Sequence, residues 1–429
     1  MVREDGLTID GALDRRLVPD GGGRRYLRLT VRAPRGLPPA SRKPLNLAFV
    51  LDRSGSMAGD KLRLVKEAVA FGLGHLTAED RAAVVIYDEA VETLAPSRPM
   101  TGANRARATL ALGGVREGGS TALGEGWLTG CRTVAAAGAE LGGPWLTRCL
   151  LLTDGLANVG LTDPRELVGH ATALRRRGVT TTAFGVGADF GEQLLNGLAE
   201  AGGGNFYFIE HARQIPDFFR GELGELLTVV AERVTVTLTL PPGARGEVLN
   251  DYPCERAGKT FTIEVGNVSA GEEKHILVAL RCAPGDADAD LPLAATLRYR
   301  GAADGADGRA TLAPLALRYA RAAEAEAEAP DPGLIEAAGH FQAARARREA
   351  LEHVYAGRHD AARATLAGAV DALAAPAMAP AAPALAADLA DLEALAEQAP
   401  AGLDSRTRKE ALYRSRVVRG SRRDYGAGH

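Results

Sequence analysis

The sequence predicts an α/β protein in which a doubly wound, mostly parallel sheet is inserted into or flanked by an antiparallel β-sandwich and followed by a C-terminal α-helical hairpin. Three observations lead to this fold class. Apolar runs alternate with helical patterns over residues 45–228, strictly alternating strands flank that region on both sides, and alanine-rich amphipathic segments follow a linker. A length of 429 residues also calls for more than one hydrophobic core.

Residues 1–44 and 229–320 are predicted to build the sandwich together. Residues 1–44 contain one clear strand, Tyr26–Arg32, before a proline-rich connector from Pro34 to Pro44. The later strands share the same alternation and are separated by Gly, Pro and Asp-rich turns; they are Arg233–Leu240, Thr260–Val265, His275–Leu280 and Ala294–Tyr299. Because strands precede and follow residues 45–228, the simplest topology inserts that region into the sandwich.

Residues 45–228 show strand and helix patterns in βα order, which predicts a mostly parallel sheet covered on both faces. The predicted strands are Leu45–Leu51, Ala82–Tyr87, Val91–Leu94, Arg148–Thr153, Thr180–Gly185 and Asn205–Ile209. The predicted helices are Lys61–His75, Ala122–Ala136, Pro164–Arg177, Glu192–Ala201 and Gln214–Leu226.

The C-terminal part is predicted to be helical. Residues 321–333 form a linker by composition, and residues 334–399 form a hairpin or small bundle with helices at 334–356, 360–373 and 385–397. The phrase Tyr355–Ala362 resembles one tetratricopeptide-type helix pair, but no repeat at that period follows. Residues 400–429 form a basic tail that is predicted to be disordered, with binding to nucleic acid or acidic lipid as the alternative.

The amino-acid composition restricts the class of protein but does not identify a binding partner. A net charge of −3 gives no overall field that favours nucleic acid. The chain begins without an apolar signal-peptide core and holds no apolar stretch of about eighteen residues, so a cytoplasmic protein without a transmembrane segment is expected. The four widely spaced cysteines are expected to be buried free thiols, with a Cys254–Cys282 disulfide as the alternative in an oxidising compartment.

Oxygen-bearing side chains follow three apolar or glycine-rich segments of residues 45–228. Asp52, Ser54 and Ser56 come directly after the first strand, Thr121 opens a helical segment, and Asp154 ends another strand. Loops at the carboxyl ends of strands gather at one edge of an open α/β sheet, so these side chains can converge on one ion. Hydroxyls with only two carboxylates suit Mg²⁺, with Mn²⁺ or Ca²⁺ as alternatives, whereas zinc favours sulfur or imidazole.

These five residues resemble the metal-ion-dependent adhesion site of von Willebrand factor type A domains, over roughly residues 46–225. The resemblance, closest to intracellular bacterial members, implies one metal held by the five side chains, partly through water, and completed by an acidic residue of a partner. The competing interpretation is that Asp52, Ser54 and Ser56 only form a turn and cap the next helix. Asp60 opens that helix and is predicted to be its N-cap rather than a ligand of a second metal. The resemblance implies the same, since the adjacent calcium site of the family needs paired acids there and Gly59 breaks the pair.

Two functions from different classes follow. The first is a non-catalytic binding module in which Mg²⁺ captures an Asp or Glu of a protein partner, with a shift of the closing helix Gln214–Leu226 as the implied relay. The second is an accessory subunit of an AAA+ ATPase assembly of the MoxR or chelatase type, as intracellular bacterial proteins similar to this one are. A metal-dependent hydrolase is disfavoured because the sequence places no general base near the ion.

Overall fold

The computed structural model describes residues 6–35, 43–142, 145–187, 190–250, 252–302 and 304–419. These residues form two compact units: residues 42–228 form one, and residues 1–41 together with 229–423 form the other. Most of the predicted proline-rich connector, residues 36–42, lies outside the described residues.

The strands, in chain order, are β1 (Thr8–Leu13), β2 (Leu17–Pro19), β3 (Gly23–Arg32), β4 (Leu45–Asp52), β5 (Arg81–Tyr87), β6 (Val91–Pro99), β7 (Leu146–Thr153), β8 (Val179–Val186), β9 (Gly203–Ile209), β10 (Val229–Thr239), β11 (Ala244–Val248), β12 (Cys254–Ala257), β13 (Thr260–Ser269), β14 (Glu273–Cys282), β15 (Asp290–Gly301), β16 (Asp307–Thr311) and β17 (Leu315–Ala320). The helices are α1 (Asp60–His75), α2 (Gly102–Gly113), α3 (Leu123–Leu141), α4 (Pro164–Arg176), α5 (Glu192–Ala201), α6 (Ile215–Leu227), α7 (Ala322–Ala327), α8 (Pro332–Tyr355), α9 (His359–Ala374), α10 (Ala382–Gln398) and α11 (Ser405–Arg419).

The unit over residues 42–228 is the predicted doubly wound α/β sheet. Its six strands lie in the order β6-β5-β4-β7-β8-β9, and all pairs are parallel except β5 with β6. Every residue of β4 is buried, as expected for a central strand covered on both faces. Helix α2 is an addition that the sequence analysis missed, because its polar, largely exposed surface and flanking glycines give no clear apolar stripe.

The β-sandwich is built from strands that precede the α/β unit in the chain and strands that follow it. One sheet has the order β1-β3-β14-β11, and the other runs β12-β13-β10-β15-β17-β2 with β16 beside β15. The fully buried side chains between the sheets include Leu27, Leu29, Val236, Leu238 and Ile276. Strand β3 therefore lies beside β14, although the whole α/β unit separates them in the chain.

The C-terminal region is larger than the predicted hairpin, and two predictions about it are wrong. The predicted linker contains α7 and the first two residues of α8, and Asp331 caps α8 by accepting a hydrogen bond from Leu334 N. The predicted disordered tail forms α11 over residues 405–419, since Ala411 and Leu412 add an apolar face to the core of the bundle. Residues 420–429 of the predicted tail lie outside the described residues.

Two further predictions concern cysteines and membrane spans. All four cysteines are free thiols; Cys131, Cys149 and Cys282 are buried, whereas Cys254 is exposed, which corrects the expectation of four buried thiols. Within the described ranges no single helix is long and apolar enough to cross a bilayer. Only α9 with residues 378–401, bent by 90°, reaches that length and composition together.

A partly buried ion-pair network joins α8 to α10 and makes the stability of the bundle depend on pH. His340 Nδ1 lies 2.5 Å from Asp388 Oδ2, and this hydrogen bond raises the pKa of His340 above its usual 6.5, against the effect of burial. Burial opposes ionisation of Asp388, but His340 and Arg347 outweigh it and hold the pKa of Asp388 below its usual value. The charged pair therefore stabilises the fold fully between the ordinary aspartate pKa of 3.8 and the unfolded histidine pKa of 6.5, and this stabilisation is lost as the pH falls through the lowered pKa of Asp388.

We expect this stabilisation to disappear as the pH rises from about 6.5 through the raised pKa of His340, because the unfolded state then binds fewer protons than the folded state. Calorimetric unfolding of the wild type and of His340→Gln, followed across that range, checks the prediction. The gap in unfolding temperature between the two proteins should close towards alkaline pH. A gap that stays constant would contradict it.

Candidate metal site

The three predicted segments meet at the carboxyl edge of the parallel sheet. Asp52 is the last residue of β4, and Asp154 directly follows the neighbouring strand β7. Thr121 lies two residues before α3. The structure therefore brings all five sequence-predicted side chains to one place, because β4 and β7 are adjacent and α3 begins beside them.

Asp52 is fully buried and held by the loops around it. Its Oδ1 accepts a hydrogen bond from Ser54 N at 2.8 Å, and its Oδ2 accepts one from Thr153 Oγ1 at 2.6 Å. Thr153, the last residue of β7, is a site residue that the sequence analysis did not name. Its position just before Asp154 was the available signal, since consecutive polar residues at a buried strand end indicate a polar site.

Ser54, Ser56 and Asp154 form a chain of hydrogen bonds. The hydroxyl oxygens of Ser54 and Ser56 lie 3.2 Å apart, and Ser56 Oγ donates to Asp154 Oδ1 at 2.7 Å. Asp154 is fully buried, and its other oxygen, Oδ2, pairs with Lys61 Nζ. Lys61 also donates to the Ser56 carbonyl at 3.3 Å. The sequence analysis assigned no role to Lys61, which lies in the first turn of α1.

The loop that carries Thr121 is tied to the Asp52 loop through the backbone. Gly118 N donates to the Arg53 carbonyl at 2.7 Å, and Gly55 N donates to the Gly119 carbonyl at 3.0 Å. Gly118 is required here because a Cβ atom would collide with the Asp88 carboxylate. A Cβ placed on Gly155 would lie 3.3 Å from Thr121 Oγ1 and 3.8 Å from Asp52 Oδ2, so both oxygens face that glycine. The loops are thus preorganised before any ligand arrives.

The electrostatics favour a bound cation. Burial raises the pKa of Asp52, and the nearby charge of Asp154 adds to that effect, while hydrogen bonds from Ser54 and Thr153 oppose it. Two buried carboxylates close together are stabilised by a divalent cation that both can contact. Two carboxylates and three hydroxyls are hard oxygen donors, so the residues present fit an ion of the Mg²⁺ type. No three His, Cys, Asp or Glu side chains in the described part of the chain gather for metal binding, because this donor set depends on hydroxyls.

An exposed apolar side chain follows Asp154 closely in the chain. Leu156, two residues after Asp154, is 57% exposed and is one of two large hydrophobic side chains exposed within the described residues.

Asp60 does not cap α1 as predicted: Gly59, with φ of 77°, occupies the N-cap position, and Asp60 pairs with Arg63 instead. The partner of Asp60 is therefore a residue on the exposed surface of α1.

A second polar network anchors helix α6 to the sheet. Glu222 is fully buried, and its carboxylate lies 2.5 Å from Arg148 Nη1. It also accepts hydrogen bonds from Thr182, Asn205 and Tyr207 at 2.6–2.9 Å. Burial opposes ionisation, but Arg148 and the hydrogen bonds outweigh it and hold the pKa of Glu222 below its usual value. Residues from β7, β8 and β9 thus hold α6 in one position.

Comparison with known proteins agrees with the fold of this unit. The model of the von Willebrand factor type A domain family matches residues 46–221. YfbK of Escherichia coli is 31% identical over 199 residues, which cover 46% of this chain and 34% of YfbK. The chain thus spans about a third of that relative's length.

Two solved structures share the fold over almost the whole chain. The von Willebrand factor type A protein from Catenulispora acidiphila has a TM-score of 0.67 at 18% identity and covers 96% of both chains. The ArnB paralog VWA2 from Sulfolobus acidocaldarius has a TM-score of 0.57 at 18% identity and covers 97% of this chain and 99% of its own. With the α/β topology and the family match in agreement, residues 46–221 of this chain form a von Willebrand factor type A domain.

Proposed function

We propose that this protein is a non-catalytic, Mg²⁺-dependent protein-interaction module whose metal-ion-dependent adhesion site captures an Asp or Glu of a partner. Asp52, Ser54, Ser56, Thr121 and Asp154 would hold the ion. The observation that carries the proposal is the convergence of these five oxygen-bearing side chains, with two fully buried carboxylates, at one sheet edge. When bound, the ion supplies an open electrophilic position for an outside carboxylate.

The surroundings favour a protein partner over a small substrate. Leu156, two residues after Asp154 in the chain, exposes a large apolar side chain of the kind that the centre of a protein interface buries. No histidine contacts the five side chains among the described hydrogen bonds, and the nearest titratable cation, Lys61, is paired with Asp154. Binding rather than turnover therefore accounts best for these residues. The role as an AAA+ ATPase accessory subunit and the cytoplasmic location remain predictions.

The test is metal-dependent capture with a matched pair of variants. Thr121→Ala removes one hydroxyl donor at the site, whereas Thr109→Ala removes an exposed hydroxyl on α2 of the same unit. Proteins retained from host lysate in Mg²⁺ but not in EDTA should bind the wild type and Thr109→Ala equally and be lost from Thr121→Ala. Blocking with an excess of an aspartate-containing peptide should release them. If the same proteins are captured in EDTA and by Thr121→Ala, the proposal is overturned.

A further inference from the structure

We propose that Lys61 is a built-in counter-ion that lowers the affinity of the free site for its metal and makes metal and partner carboxylate bind cooperatively. This inference rests on the proposed function, since it concerns the same site. It adds an element that the five donor side chains do not contain, namely a fixed positive charge inside the cluster.

The ammonium group of Lys61 contacts a proposed metal ligand, Asp154, whose side chain is fully buried. Lys61 Nζ pairs with Oδ2 of Asp154, whose side chain is fully buried, while the Lys61 side chain keeps 28% of its surface exposed. The Ser56 carbonyl, 3.3 Å away, provides a second acceptor. A Cβ placed on Gly187, the residue after β8, would lie 3.6 Å from Nζ, so the backbone at this glycine lies beside the ammonium group. The ammonium is therefore positioned rather than free in solvent.

Neighbouring cations do not share this role. Arg53 Nη2 pairs with Asp88 at 3.1 Å, and Lys66 Nζ donates to the carbonyls of Gly113 and Val115. Arg63, on the same helix as Lys61, pairs with Asp60 and Glu67 on the exposed surface. Among these four side chains, Lys61 is the one whose ion pair involves a proposed metal ligand.

Counting charges gives the consequence. Asp52 and Asp154 carry two negative charges and Lys61 one positive charge, so these three side chains alone have a net charge of −1. A bound divalent ion changes the net charge of the site to +1. Without the lysine, the two carboxylates would neutralise the bound ion and the net charge would be zero. Lys61 therefore repels the incoming metal and leaves a positive charge that an outside carboxylate removes. Since linkage is reciprocal, a carboxylate that binds better with the metal also tightens the metal.

The experiment uses the full-length protein, MnCl₂ as the metal probe and sodium acetate as the carboxylate probe, at fixed pH and ionic strength. Calorimetry compares the wild type with Lys61→Met, with the charge-retaining Lys61→Arg, and with Arg63→Met, which removes an equal charge outside the site. Couplings between sites are typically about 5- to 150-fold, and Lys61→Met should bind Mn²⁺ tighter by a factor in that range. Arg63→Met should bind Mn²⁺ as the wild type does, and the charge-retaining Lys61→Arg should bind it more weakly than Lys61→Met. Acetate should tighten Mn²⁺ binding to the wild type more than to Lys61→Met.

The possible failures are distinguishable. If the wild type binds no Mn²⁺, the proposed metal site itself is wrong. If the wild type binds Mn²⁺ and Lys61→Met binds it equally or more weakly, Lys61 is only a structural partner of Asp154 and the inference is overturned. An acetate effect of equal size in both proteins would also overturn it. Unfolding curves of the metal-free variants show whether a change in fold contributes to either result.

Discussion

Replacing Asp52 with asparagine is expected to weaken divalent-metal binding by more than about 100-fold, because loss of outer-shell partners alone typically costs about 10- to 100-fold. The substitution removes one of the two carboxylates at the site and keeps the shape of the side chain. An asparagine oxygen can still accept from Ser54 N, which now donates to Asp52 Oδ1 at 2.8 Å. The effect is therefore on charge and metal coordination rather than on the course of the loop.

The metal-free variant should remain as stable as the wild type or become more stable. Burial and the charge of Asp154 raise the pKa of Asp52, so the ionised carboxylate is disfavoured in the folded state and its neutralisation relieves that cost. Thermal unfolding with increasing Mg²⁺ measures both effects. The wild type should gain about 2.7 kcal/mol at a metal concentration a hundred times its Kd, whereas Asp52→Asn should gain less than about 0.4 kcal/mol at that concentration. Equal metal-dependent stabilisation of both proteins would exclude Asp52 as a ligand.

Replacing Arg148 with methionine is expected to destabilise the α/β unit by about 3–5 kcal/mol, the usual cost of leaving a buried charge without its partner. Glu222 is fully buried, and Arg148 is its one cationic contact among the described ion pairs. Hydrogen bonds from Thr182, Asn205 and Tyr207 remain but carry no compensating full charge. Both tryptophans of the chain, Trp127 and Trp145, lie in this unit, so urea unfolding followed by their fluorescence reports on it alone.

The matched control is the double variant Arg148→Met with Glu222→Gln. It removes both charges and keeps an amide that can bond to the remaining partners, so it should recover a large part of the lost stability. If the double variant is no more stable than Arg148→Met, the loss comes from packing of the arginine side chain instead of the unpaired charge.

The same network bears on how the domain responds to a partner. The sequence analysis predicted a displacement of the helix over residues 214–226 on binding, and this stays a prediction. In the structure, Glu222 fixes that helix to three strands through charged and polar contacts. Any displacement along the sheet has to break or exchange these bonds, so Arg148 and Glu222 are the residues that set its cost.

The sequence by itself determined the α/β class, the strands of the metal-site unit to within a few residues, and the five side chains at its carboxyl edge. These features follow from the local sequence pattern, because a buried strand appears as a run of apolar residues and the first polar residues after that run mark its end. Helix α2 and the tail helix α11 were missed because exposed or strongly basic helices show only a weak apolar stripe, and packing of Ala411 and Leu412 decides the latter.

Only the tertiary structure decided which distant groups meet. Lys61 reaches Asp154 across 93 positions of chain, and Arg148 reaches Glu222 across 74. Neither pairing has a spacing or motif that a single sequence displays, since charged residues on helices usually face solvent. The adjacency of strands β4 and β7 and the packing of α1 and α6 on the sheet create both contacts, and with them the charge of the site and the hold on the closing helix.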